Sequence, residues 1–190
     1  MIHLEGPHMG LYDSRSTNRV QMWNTWAVSQ SESVGHMVEW VAAVARSAPG
    51  GKLRNLVFRC HGDSGYLQMG AGIKLSDIPQ FSAWRGLVDR TYFSACSVAH
   101  IDSARSNGGV AGSDGNRFCS EFARTVGCYL VAGTEPQVIG RNRVLPYGCL
   151  DTFEGLVLTY SPAGGICGQH RWPSTYDRGR GRGGMAHNAD

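Results

Sequence analysis

The chain has 190 residues, 42% of them apolar and 17% charged, with 18 Lys and Arg against 15 Asp and Glu for a formal net charge of +3. That is enough chain and enough apolar content for one domain with a sizeable core. Much of the positive excess sits in the C-terminal tail, so composition makes no case for nucleic acid or a membrane surface, and no run approaches the ~20 apolar residues of a transmembrane helix.

Residues 1–30 carry little periodicity. Val20-Gln21-Met22-Trp23 alternates weakly and predicts an edge or first strand, while Gly6-Pro7-His8-Met9 has the look of a cloning scar. No apolar core flanked by basic residues marks a secretory signal. Ser33 then reads as an N-cap, followed by Val34, Met37, Val38, Val41, Val44 and Ala45 at the spacing of one helical face; Pro49-Gly50-Gly51 stops that helix. A short apolar strand at 55–59 runs into Cys60-His61-Gly62, and Tyr66 to Met69 predicts a hairpin strand behind a turn at Asp63-Ser64-Gly65. Ser76 is expected to cap a short helix that faces Ile78, Phe81 and Trp84 or Arg85 inward. Thr91-Tyr92-Phe93 is the next buried strand and leads into Ser94-Ala95-Cys96-Ser97.

The run 101–116 is rich in Gly, Ser and Asp and reads as a loop, with Arg105 a candidate processing site. Asp114 caps a helix with Phe118, Cys119, Phe122, Ala123 and Val126 on one face, and Gly127 ends it. A strand follows at 128–132, then a turn at Gly133-Thr134-Glu135-Pro136. From Val138 the signals thin to one strand at 156–160. The expected organisation is a single α/β domain over 1–170 and an Arg/Gly-rich, disordered tail over 171–190. One short Arg-Gly run is more often a solvated tail than an RNA contact.

His61 and Cys96 each stand just past an apolar strand, 35 residues apart. Sites in open α/β sheets form beyond the carboxyl ends of strands, so the two can face one another. A cysteine attacks as its thiolate, and an imidazole can take its proton and later protonate a leaving amine. Gly62 allows close approach of a reacting carbonyl, and its N–H with that of Cys96 could form an oxyanion hole. Other readings are weaker. Gly62-Asp63-Ser64-Gly65 matches the surround of a trypsin-like serine, but the rest of that machinery is missing; with Tyr66 next, it is not a nucleophile elbow either. Cys60 and His61 are adjacent and would point to opposite faces of a strand, which argues against a shared metal. The six cysteines, at 60, 96, 119, 128, 149 and 167, form no C-x-x-C pair and suit a reduced, cytoplasmic setting.

The order of these segments resembles the caspase-like cysteine peptidases, most of all the CHAT and caspase-like domains of bacterial proteins. His61-Gly62 runs into the hairpin Tyr66-Leu67-Gln68-Met69-Gly70, Cys96-Ser97-Val98-Ala99 follows a second strand, and Gly115 to Phe118 opens a helix before an apolar strand at 129–132. The resemblance spans 34–134. It implies a three-layer αβα sandwich around a mostly parallel sheet, and a cysteine endopeptidase with His61 as base and Cys96 as nucleophile. It also implies a peptide or protein substrate and no cofactor or metal. A catalytically silent adaptor on the same fold is the alternative. Ser94 stands where several relatives carry the Asp that binds a basic P1 side chain, so the substrate pocket is open: Asp63 and Glu135 are the candidate acids, Arg59 and Arg141 the candidate bases. The absence of an acid at 94 favours a small or neutral P1 residue.

Overall fold

A seven-stranded sheet in the order β11-β10-β8-β7-β4-β2-β3 is the centre of the computed structural model, which describes residues 1–16, 19–101, 114–137 and 144–174. In chain order the elements are β1 (Ile2–His3), β2 (His8–Asp13), β3 (Asn24–Val28), α1 (Val34–Ser47), β4 (Leu53–Arg59), β5 (His61–Asp63) and β6 (Tyr66–Gln68). A 3₁₀ helix (Leu75–Trp84), β7 (Val88–Ser94), α2 (Gly115–Val126), β8 (Tyr129–Gly133), β9 (Cys149–Leu150), β10 (Gly155–Tyr160) and β11 (Ile166–Trp172) follow. β3, β2, β4, β7 and β8 pair in parallel, so their carboxyl ends share one edge; β10 and β11 close the other side antiparallel. The domain is therefore mixed α/β with a mostly parallel sheet.

The helices form where the apolar periodicity predicts them. Ser33 accepts a hydrogen bond from the His36 N–H at the start of α1, and Asp114 accepts one from Arg117 at the start of α2. Gly127 ends α2 in the left-handed conformation at φ 72°. Alternation along the strands sends Leu56, Phe58 and Phe93 toward the helices, where they meet Phe81, Trp84, Phe118 and Phe122. Val57 and Tyr92 point to the opposite face and pack with Leu4, Val20, Met22, Leu150 and Phe153. Of the two helical layers expected, one is observed. Among the described residues the second face is covered by the two-stranded sheet β1–β9 and by loop segments.

Several expectations are corrected. Positions 20–23 form no strand; Val20 and Met22 alternate inward because they lie across β2, where Gly10 has no side chain and a Cβ would collide with Val20. Gly6 to Met9 is no appendage, since His8 and Met9 open β2 and Met9 is fully buried. The 3₁₀ helix begins at Leu75, with the Lys74 N–H donating to the Asp77 carboxylate (2.8 Å), so Ser76 is not its cap; Trp84 rather than Arg85 faces inward. The folded part passes the expected boundary at 170. β11 pairs with β10 as far as Trp172, and Ser174 is buried. Its sequence alternates no apolar face, which hides it from a hydrophobicity reading. Arg105, Arg141, most of the expected 101–116 loop and 175–190 lie outside the described residues. No helix among those described is long and apolar enough to cross a membrane.

Candidate active site

β4 and β7 are neighbours in register, with Arg59 opposite Ser94, so the segments leaving their carboxyl ends start side by side. His61 follows β4 at the head of the hairpin β5–β6, and Cys96 follows β7 in a tight turn. The hairpin lies across that turn. A Cβ at position 62 would come within 2.8 Å of the Cys96 carbonyl oxygen and 2.9 Å of the Ala95 and Val98 side chains, so only glycine permits the contact. The Gly65 N–H donates to the Val98 carbonyl (3.1 Å), and the Ser64 hydroxyl donates to that of His100. Ser64 is thus a buried turn residue.

The backbone of the hairpin fixes where Gly62 aims its polar groups. Leu67, opposite Gly62, exchanges both backbone hydrogen bonds with Ile73 on its far side (3.1 and 2.9 Å). The Gly62–Leu67 pair is therefore the non-hydrogen-bonded kind, and the Gly62 N–H is turned away from β6. Cys96 is followed by Ser97 at φ 54°, the single described non-glycine residue with positive φ. Backbone held in that region is costly and clusters at functional sites. The turn is pinned by Ser97 N–H to Glu135 carbonyl (3.1 Å) and Ala99 N–H to Gly133 carbonyl (3.0 Å).

The Cys96 sulfur is partly exposed. It accepts a hydrogen bond from the Gln137 N–H (3.3 Å) and lies 3.5 Å from the Gln137 carbonyl oxygen. The His61 ring is exposed and makes no hydrogen bond to that sulfur in this structure. The neighbouring Cys60 faces the helices at 1% exposure, and burial pushes its thiol far above the usual range. Cys60, at the bend between β4 and β5, is thus buried while the adjacent His61 is exposed. Among the described residues no group of three His, Cys, Asp or Glu comes together in a way that could hold a metal.

The pocket candidates among the described residues, Asp63, Ser94, Glu135 and Arg59, are all engaged. Asp63 accepts the Ser64 N–H (2.8 Å) and shapes the turn. Glu135 accepts the Leu156 N–H (3.1 Å) and pairs with Arg171 (3.1 Å), tying β8 to β10 and β11. Arg59 is 2% exposed on the face without helices; it donates to the Ser94 hydroxyl (2.6 Å) and reaches Asp151 at 3.4 Å. Burial lowers the Arg59 guanidinium from its ordinary value, and Asp151 opposes that shift.

Asp151, Gln137, Glu154 and the pair Asp13–Arg15 were not singled out by the sequence. Asp151 and Glu154 fall where its signals thin and Gln137 just before, and a carboxylate or amide in an irregular segment has no periodicity to betray it. Asp13 is fully buried at the end of β2, accepts from Arg15 (2.6 and 2.7 Å) and from the Gly70 N–H (2.9 Å), while Arg15 also reaches the Gly70 carbonyl (2.7 Å). These bonds fasten the far end of the His61 hairpin to the sheet. Comparison with protein-family models, with curated proteins and with solved structures finds no match for this chain.

Proposed function

We propose that the protein is a cysteine endopeptidase with Cys96 as nucleophile and His61 as general base, working through an acyl-enzyme. The observation that carries this reading is the docking of the His61-Gly62 hairpin onto the Cys96 turn, with no room for a side chain at position 62. In the proposed cycle the Cys96 thiolate adds to the substrate carbonyl and the oxyanion meets the N–H groups of Gly62 and Cys96. His61 protonates the departing amine, then deprotonates the water that hydrolyses the thioester. Catalytic hydrogen bonds are often loose without substrate, so the unpaired His61 ring fits a resting site. The caspase-like reading of the fold goes with this function, in a form with helices on one face of the described sheet.

Two observations bear on the substrate. The Ser94 hydroxyl is occupied by Arg59, and a buried guanidinium there is a poor floor for a second cation. A P1 Arg or Lys is disfavoured, in keeping with a small or neutral P1 residue; a P1-scanning peptide library that returned strong Arg or Lys preference would overturn this. The adaptor alternative draws on one feature, the Gln137 carbonyl oxygen 3.5 Å from the sulfur, which accepts from the Cys96 thiol where the His61 ring does not. A thiol-reactive peptidyl electrophile separates the two. A working dyad is labelled rapidly at Cys96, and C96A and H61A each abolish most hydrolysis without adding. Slow labelling no faster than at the exposed Cys167 would leave the adaptor.

A further inference from the structure

The Gln137 side chain has three hydrogen bonds and none leads to substrate space. Its amide Nε2 donates to the Glu135 carbonyl (2.8 Å) and to the Glu154 carbonyl (3.0 Å), and its Oε1 accepts the Glu154 N–H (2.8 Å). A half-buried amide with both ends satisfied by backbone holds one geometry. What it holds is the backbone of residue 137, whose N–H points at the Cys96 sulfur from 3.3 Å. Gly133, at the end of β8, makes room for this clamp, since a Cβ there would sit 2.8 Å from Nε2. From this geometry we infer that Gln137 is a positioning residue for the nucleophile. Its side chain ties the segment leaving β8 to the entry of β10 so that its own N–H stabilises the Cys96 thiolate. The role deepens the peptidase reading and rests on Cys96 as its nucleophile.

The physical reason is the preference of a charged acceptor for a fixed donor. The Gln137 carbonyl oxygen, 3.5 Å from the sulfur, favours the thiol, but the N–H is nearer and a hydrogen bond to a charged group is worth roughly twice a neutral one, so the two together favour the thiolate. The donor is also in place before substrate arrives, with no reorganisation needed at the moment of attack. Because the lock is made by the side chain and the useful bond by the backbone, the function can be removed without touching Cys96 or His61.

Two variants test it. Gln137→Met keeps the bulk and loses all three bonds. Gly133→Ala keeps Gln137 but drives its amide from the clamp. The readout is the rate of iodoacetamide alkylation at Cys96 across pH, with Cys167 in the same molecule as reference. In the native protein Cys96 should react at a pH where Cys167 does not. In both variants the Cys96 profile should move up by about one pH unit, a roughly tenfold loss of rate near neutrality, while the Cys167 profile stays. A merely structural role would lower melting temperature and leave the Cys96 profile in place. Unchanged profiles in both folded variants overturn the inference and leave the dyad standing. Profiles that shift while H61A still hydrolyses peptide at the native rate overturn the dyad and leave the Gln137 role. Should Cys96 match Cys167 in the native protein, both readings fall.

Discussion

Arg59 is held by a hydroxyl at 2.6 Å and a carboxylate at 3.4 Å, and its buried Nε has no partner. Desolvating a guanidinium is expensive, and one half-exposed acid at that distance offsets it only in part. Arg59→Met is therefore expected to keep stability within about 1 kcal/mol of the native chain, whereas Asp151→Ala, which strands the charge, should cost about 1–2 kcal/mol. Urea unfolding measures both, and the reverse order would show the pair to be strongly stabilising. Ser64 gives a second contrast. Its hydroxyl is spent on the His100 carbonyl, so Ser64→Ala should lose about 1 kcal/mol of stability and keep peptide hydrolysis. Loss of all activity with an intact fold would restore Ser64 as nucleophile. Sequence alone nominates His61, Gly62 and Cys96 because their segments follow apolar strands, but it cannot tell that Ser94 meets Arg59. That contact depends on the register of β4 against β7, which no local pattern encodes.

The hairpin that carries His61 depends on the end of β2. Burial alone would raise the Asp13 carboxyl, but the bonds from Arg15 and the Gly70 N–H outweigh it and hold it below the ordinary value. A carboxyl lowered in the folded state adds stability above its unfolded pKa of about 3.9, and that stability is lost as pH falls through the lower native value. Asp13→Asn should cost about 2 kcal/mol at neutral pH, and the gap to the native chain should close as pH drops below 4. If the two unfold in parallel across that range, the clamp is not what secures the hairpin. Elements with strong periodicity were legible: α1 and α2 stand with the caps expected of Ser33, Asp114 and Gly127. β2 was not, because Gly10 and a buried Asp13 break its apolar pattern. β11 was not, because most of its side chains are exposed.

Across the molecule, the asymmetry of the two faces sorts the cysteines. Burial pushes the Cys128 thiol up to about 11 and the Cys60 and Cys119 thiols far higher, all three on the helical side of the sheet. Alkylation of the folded protein at pH 8 should therefore mark Cys96 and Cys167 and spare Cys60, Cys119 and Cys128 until denaturant is added. Peptide mapping reads this directly, and early modification of the three would mean the helical layer opens readily. A parallel sheet could be inferred from buried strands joined by helices. That one face would be closed by β1–β9 and loops could not, since those segments pack on Val57, Tyr92 and Val157 of three different strands and follow no pattern of their own.

The Gln137 clamp closes on Glu154, at the entry to β10, and β10 is among the last parts of the sheet to be synthesised. Cys96 thus leaves the ribosome well ahead of the residues that aim a donor at it. A growing chain carries Cys96 unassisted, and so does a product truncated before position 154. On the peptidase reading proposed above, the donor to Cys96 is in place only once residue 154 has joined the sheet.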